Sequence, residues 1–472
     1  MSSLLARKRT TILALSLALI AFYLPPTTHQ LRVFGILSRP SDALGNTHAH
    51  AYRQGESTAE VKLIPGTTYC EDLHLHERSG LLVTACEGEK QDRRGWFPPL
   101  GVFDRPPVRG GPRGSIVVVD PQSFTAKTLE LRGYDDDVFV THGIDIINDP
   151  SNSNAIYIHA VNHAPAAPSS PASGTSATEP GPHLAASRIE VFHHTLYSSY
   201  ATHIKTISHP LIRTPNDIFS LSPSELLVTN DHKHKSGFWR HVEDIISHSW
   251  GPKTDIVGVR FGLDRGGAEE VEASVALERI HNGNGLGHGP GGEVMIGDAA
   301  GGVLHLASLI QSTSPVTTTT DATTNAATNT HPRLQIHTSI PLHSNIDNPS
   351  FYSSSDGTKS GYVLAGLSKG AALGPNAKDP AYKHGVIVWY VPLEDGADGA
   401  DGADSGEREG THQKRKVGEP KGIFADDGGL ISTASAGVIV DRPTTTGGEG
   451  VERWLFVTGF MSDSMVAVKV DL

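Results

Sequence analysis

The chain is poor in sulfur and in aromatic rings. Two cysteines in 472 residues, Cys70 and Cys86, exclude a disulfide scaffold and a cysteine-rich metal module. Aromatic residues make up 6%, and no basic stripe relieves a net charge of −12, so nucleic acid is not an expected partner. There is no EF-hand loop of the D-x-[DN]-x-[DN]-G kind, no Asn-x-Ser/Thr acceptor and no exact internal repeat. From Val61 to the C-terminus no helical period is sustained, which excludes a helical bundle.

What the chain has is turns and short apolar runs. Gly (50) and Pro (30) punctuate segments rich in Val and Ile, among them 114–120, 138–147, 155–161, 188–195 and 225–230. Further runs follow at 254–261, 293–298, 361–367, 385–392, 454–460 and 464–470. Their regular recurrence predicts an all-β fold, either a sandwich stack or a propeller with divergent blades. Segments 71–76 and 81–87 read as a hairpin across which Cys70 and Cys86 would meet, either as a disulfide or as two buried thiols.

Arg7-Lys8-Arg9, the apolar run 11–24 and Pro25-Pro26 match a secretory signal. The run is short of the roughly 20 residues of a spanning helix, and no Ala-x-Ala site follows it. Residues 1–30 are therefore read as a signal peptide or an uncleaved signal anchor. Either one sends residues 31–472 into the secretory pathway, secreted or membrane-anchored, with membrane contact through this segment. Three stretches of biased composition, 164–187, 312–330 and 394–421, are expected to be disordered surface insertions within one domain.

The candidate chemistry lies in scattered oxygen donors: Glu71-Asp72, Asn216-Asp217, Asn284-Gly285 and Asp347-Asn348. Carboxylates and amides without sulfur suit a hard cation such as Ca2+, which takes six to eight oxygens. On a regular strand adjacent side chains point to opposite faces, so Glu71-Asp72 and Asn216-Asp217 would each divide between two stations along an axis, a rule that Asp347-Asn348 breaks if both serve one ion. His142 and His163 end successive apolar runs and could form a relay in which the second orients the first to deprotonate water.

In order along the chain stand Glu71-Asp72-Leu73, His142-Gly143-Ile144, Val161-Asn162-His163, Pro215-Asn216-Asp217-Ile218 and Thr229-Asn230-Asp231-His232. Asn284-Gly285-Leu286, Ile346-Asp347-Asn348 and Phe424-Ala425-Asp426-Asp427-Gly428 complete the set. Together these motifs resemble the serum paraoxonase/arylesterase family of Ca2+-dependent lactonases and esterases. The resemblance implies a six-bladed β-propeller with two Ca2+ ions in its central tunnel. One ion, catalytic, would be held by Glu71, Asn216, Asn284, Asp347 and Asn348; the other, structural, by Asp72, Asp217 and the Ile144 carbonyl. It also implies hydrolysis of a lactone or aryl ester, with phosphotriesters as promiscuous substrates. The upper ion would polarise the carbonyl and stabilise the oxyanion, while His142, aided by His163, activates water.

Two features depart from the family. No early cysteine is available to tie the chain ends, so closure must rest on strand pairing or on a local Cys70–Cys86 link. Segment 88–113, with Trp96-Phe97-Pro98-Pro99, is longer than the family's usual connection and is expected to roof the active-site mouth. Alternatives from other classes are a strictosidine-synthase-like propeller enzyme and a non-catalytic propeller stabilised by calcium, since one fold hosts many functions.

Overall fold

Val- and Ile-rich runs that are apolar on both faces must be covered on both faces, and radial stacking of small sheets does this. The computed structural model describes residues 28–39, 50–52, 60–88, 93–135, 138–166, 184–240, 243, 254–264, 271–311, 331–394, 416–444 and 450–472. The apolar run 11–24 and most of the three insertions lie outside the described residues. Among the described residues six sheets form, each with a core of four strands; in five of them the strands run in sequence order from the centre outward, and in blade 6 the outer strand comes from the start of the chain. Blade 1 holds Cys70–His76, Leu81–Cys86, Ser115–Asp120 and Thr125–Thr128. Blade 2 holds Thr141–Asn148, Ala155–Asn162, Arg188–Thr195 and Tyr200–Ile207, and blade 3 Pro215–Ser222, Glu225–Asn230, Thr254–Arg260 and Glu272–Ile280. Blades 4 and 5 begin at Gly283–His288 and Pro349–Ser353. This is the six-bladed β-propeller that the motifs imply.

Six apolar clusters fill the six seams between blades. Leu82 and Val117, for example, pack toward blade 6 with Trp454 and Phe456, while Val83 and Ile116 pack toward blade 2 with Ile144 and Ile158. The ring closes by strand pairing. Val61–Ile64 forms the outer strand of blade 6 against Met465–Val470, with Val61 opposite Val468 and Ile64 opposite Met465. Cys70 and Cys86 face each other across the first hairpin and are joined as a disulfide, a local link that does not span the ring closure.

The inner strands are not regular, so the alternation of a flat strand is not what separates the adjacent donors. In blade 1, Cys70 pairs with Cys86 but Leu73 pairs with Thr84, so Glu71 and Asp72 together oppose the single residue Ala85. The same one-residue bulge contains His142-Gly143 in blade 2, Asn216-Asp217 in blade 3, Asn284-Gly285 in blade 4 and Ser435-Ala436 in blade 6. In blade 5, Asp347-Asn348 immediately precedes the inner strand. A bulge breaks strict alternation and re-aims side chains, so the propeller's repeat is a bulge at one height of each inner strand rather than a sequence motif.

Two glycines permit the inner strands to converge. A Cβ on Gly143 would lie 2.5 Å from the Asn216 carbonyl oxygen and 2.6 Å from the Asp217 Cα. A Cβ on Gly285 would lie 2.5 Å from Asn348 Oδ1. Because the Gly143 clash is with backbone, Gly143→Ala is expected to cost about 3 kcal/mol. Gly374, with no atom within 4 Å of its Cβ position, should accept alanine within about 0.5 kcal/mol. Chemical denaturation of both variants checks the contrast.

Candidate active site

The bulges deliver oxygen atoms to one end of the tunnel. Among the buried oxygens there with no hydrogen-bond partner are Glu71 Oε2, Asn216 Oδ1, Asn284 Oδ1, Asp347 Oδ1 and Asn348 Oδ1, with Asn345 Oδ1 a further one at the cavity wall. The first five belong to the five residues expected to hold the upper ion. Buried acceptors are normally paired, and an unpaired one is costly. A convergent set of acceptors with no donor among them is what a hard cation takes. Among the described residues no three His, Cys, Asp or Glu side chains gather as a metal site; this set contains two carboxylates and three amides.

The electrostatics agree. Burial pushes the Glu71 carboxyl well up, and Asp347 and Asp72 push it further. Asp347 is raised by burial, Asp72 and Asp231, and Asp217 by burial, Asp72 and Glu71. At Glu71 the Asn348 amide and the Arg93 charge act against the rise without cancelling it. Asn348 Nδ2 donates to Glu71 Oε1 at 2.9 Å, which turns both Oδ1 of Asn348 and Oε2 of Glu71 outward from that bond. Asn282, the alternative to Asn284, is occupied at both ends: Nδ2 donates to the Asp231 carbonyl at 2.9 Å and Oδ1 accepts from Ala300 N at 3.1 Å.

Asp72 and Asp217 differ from their neighbours. Asp72 Oδ1 accepts from Leu73 N at 2.7 Å, and Oδ2 accepts from Ile144 N at 3.1 Å and His74 Nε2 at 2.9 Å. Asp217 Oδ1 accepts from Ile218 N at 2.7 Å and Oδ2 from Leu286 N at 2.6 Å. All four oxygens are paired.

Beside the oxygen set stands the histidine pair. His142 Nδ1 lies 3.1 Å from His163 Nε2, and His163 Nδ1 lies 2.9 Å from Ser187 Oγ. His142 Nε2 lies 3.9 Å from Glu71 Oε1. Burial, then His163, holds His142 well below the ordinary histidine range, with Arg93 acting in the same direction and Asp231 against it. Burial holds His163 down at about 3. Ser187 falls within the segment expected to be a disordered insertion, yet residues 184–187 return to the blade, with Ala185 bridging Pro165. Its composition gave no signal of this contact.

Segment 93–105 covers the pair. Phe97 meets His142 edge-on at 5.2 Å and His163 at 6.4 Å, and the Arg93 guanidinium lies 4.5 Å over its ring. Arg93, fully buried, donates to Glu87 Oε1 and the Thr141 carbonyl at 2.8 Å and to the Phe460 carbonyl at 3.1 Å. Trp96 Nε1 donates to the His163 carbonyl at 2.7 Å. None of these contacts was legible beforehand, because an isolated arginine in a polar run reads as solvated surface.

A cavity of about 480 Å3 opens at this end, lined by Phe97, Pro99, Leu100, His142, Asn216, Asn284 and Asp347. Phe34 also lines it. Residues 28–39 dock on the propeller, with His29 Nε2 donating to the Gly301 carbonyl at 2.9 Å. The roof expected from segment 88–113 is thus present among its described residues. Among the described residues no helix is long and apolar enough to cross a membrane.

No family model matches the chain. Human serum paraoxonase/lactonase 3 is 29% identical over 140 residues, 29% of this chain and 34% of that protein. Rat serum paraoxonase/arylesterase 2 is 28% identical over 159 residues, 33% of this chain and 37% of that protein. The matched stretch thus spans 34% to 37% of these curated relatives' length. Among solved structures, the periplasmic gluconolactonase of Pseudomonas aeruginosa aligns over 85% of this chain and 88% of that one, at 10% identity and a TM-score of 0.35. With the propeller and the ordered motifs in place, the family that this chain resembles is that of the serum paraoxonases, arylesterases and lactonases.

Proposed function

We propose that the chain is a calcium-dependent hydrolase of lactones or aryl esters, entering the secretory route through its N-terminal segment. The observation that carries this reading is a set of five unpaired buried oxygens on the motif residues, three of which line one cavity together with His142, the first member of a buried histidine relay. Curated relatives named as lactonases and arylesterases support the reaction class. Glu71, Asn216, Asn284, Asp347 and Asn348 would hold the ion. Bound there, Ca2+ would supply a positive charge to polarise an ester carbonyl and stabilise the oxyanion.

The chain's own residues do the proton chemistry. Calcium acidifies water far less than zinc does, so a separate base is needed. His142 is kept neutral by burial and by His163. In the tautomer where His142 Nδ1–H donates to His163 Nε2, Nε2 is left to accept a proton from water. With His163 Nδ1–H donating to Ser187 Oγ, His163 Nε2 is the acceptor that this tautomer of His142 requires. When His142 takes the proton, its charge forms beside Glu71 and near Asp231. Phe97 and the roof exclude bulk water from the imidazoles.

Chelation is expected to abolish lactone and aryl-ester hydrolysis and to lower the melting temperature. An ion at about 100 times its Kd stabilises the fold by about 2.7 kcal/mol; an esterase indifferent to EDTA would sink the reading. His142→Gln should lower kcat by at least about 100-fold while leaving calcium affinity unchanged by isothermal titration calorimetry.

The His163 ring sets a pH dependence of stability. Above pH 6.5 it is neutral in both states; below, the unfolded chain takes up a proton that the folded chain refuses until about pH 3. Stability from this group is therefore lost as pH falls through that window, by up to about 1.4 kcal/mol per unit. Urea titrations across the window should show a shallower decline for His163→Gln than for wild type.

A further inference from the structure

A buried ion pair lies beside the histidine relay, and the proton chemistry does not use it. Glu87 follows the second strand of blade 1, Leu81–Cys86, and Arg93 stands at the start of the roof segment 93–105. Both side chains are fully buried, with Arg93 Nη2 at 2.8 Å from Glu87 Oε1. Neither residue lines the cavity.

Every polar group of Thr141 goes to this pair. Its amide N–H and its hydroxyl donate to Glu87 Oε1, the hydroxyl at 2.9 Å, and its carbonyl accepts from Arg93 Nη2 at 2.8 Å. Thr141 is fully buried and opens the inner strand of blade 2, opposite Asn162. The bulge that carries His142-Gly143 begins at the next residue. A buried amide and carbonyl must be paired, and at this point a carboxylate and a guanidinium do it.

The same guanidinium reaches the roof. Nη1 donates to the Phe460 carbonyl at 3.1 Å, and the charge lies 4.5 Å over the Phe97 ring. Phe97 stacks on Phe460 with ring centroids 6.0 Å apart, and its ring meets both imidazoles edge-on. Trp96 Nε1, between them in sequence, holds the His163 carbonyl. Residues 93–97 thus touch the backbone before His142, the backbone of His163 and both rings. Net stability is a poor account of the pair, because burying two charges is costly and apolar side chains of the same volume often serve a fold as well. What a planar guanidinium adds is direction, since its donors are fixed in a rigid fork.

We propose that Glu87 and Arg93 are positioning residues for the hydrolysis: the pair clamps Thr141, which holds the His142 imidazole in register with His163, and seats the Phe97 roof over both rings. The clamp acts through His142 and makes no contact with substrate.

The inference rests on the reading of His142 as the base, and a kinetic cycle on the full chain, with phenyl acetate and δ-valerolactone as probes at saturating Ca2+, separates the two. Arg93→Lys keeps the charge and loses the fork; kcat is expected to fall about 10-fold and KM to change by less than about 3-fold. Glu87→Gln with Arg93→Met, a neutral pair of similar volume, should lower kcat about 100-fold. Circular dichroism and calcium titration calorimetry check that each variant is folded and binds the ion as wild type does. In a His142→Gln background either change is expected to cost less than about 2-fold more, because a base that is absent cannot be misplaced.

A folded clamp variant with wild-type kcat would overturn the inference while His142→Gln still loses activity. Losses of equal size with and without His142 would overturn it as well, since a merely structural pair behaves in that way. If the double variant fails to fold, Arg93→Lys decides on the same two readings, and loss of the fold in both would also overturn the inference. Wild-type turnover in His142→Gln itself would overturn the base assignment, and the clamp with it.

Discussion

Six inner strands must approach one axis, and the structure depends on how their backbones tolerate that convergence. At a common height five of them insert an extra residue, and the sixth begins there. The bulge solves two problems with one device. It lets side chains leave the alternation that would bury every second one in a seam, and it opens room for Gly143 and Gly285 to pass within contact of the neighbouring blade. Donors that are hundreds of residues apart in sequence then reach one point. Even the backbone takes part: the Glu71 carbonyl accepts from Ser435 Oγ and from Thr458 Oγ1, which fixes blade 1 to blade 6 where the acid is presented.

The sequence spoke clearly where burial on both faces demanded continuous apolar runs. Glu225–Asn230 and Arg188–Thr195 were expected with the bounds that form. It spoke poorly at the inner strands Gly283–His288 and Pro349–Ser353, whose Gly, Asn and Pro are depleted in ordinary sheets. Those residues sit there because convergence requires them. Outer strands such as Pro332–Pro341 were equally hidden, since half of their residues face solvent and their apolar pattern is diluted.

For the site, residue types carried the ligand set but not its geometry. Asp347-Asn348 looked anomalous when adjacency was taken to mean opposite faces. Each has an unpaired Oδ1, because the pair precedes its strand and is not bound by alternation. Ser187 and Arg93 were out of reach for a different reason. They act through contacts made by long loops, and no local pattern marks a loop residue that a distant blade will bury. Asn162 and Asn230 show the converse. Both stand in the ordered motifs, yet their amides are spent on fold: Asn162 holds Val140 N and Glu190, and Asn230 holds Arg213 N and Asp255.

Charge balance along the tunnel gives the division between the two stations a physical basis. The upper set has two carboxylates, Glu71 and Asp347, which a single divalent ion neutralises. The deeper region has three, Asp72, Asp145 and Asp217, faced by His74 and His288 and by at least four backbone amides. The backbone amides of Leu73, Ile144, Ile218 and Leu286 that reach Asp72 and Asp217 come from blades 1 to 4 and are fixed by the fold. The ion proposed at the upper set would lie at the end that opens on the cavity, where a substrate carbonyl can reach it. Glu71 and Asp72, and Asn216 and Asp217, thus differ in their partners although each pair sits in one bulge: the first of each keeps an unpaired oxygen, and the second has both carboxylate oxygens met by an N–H.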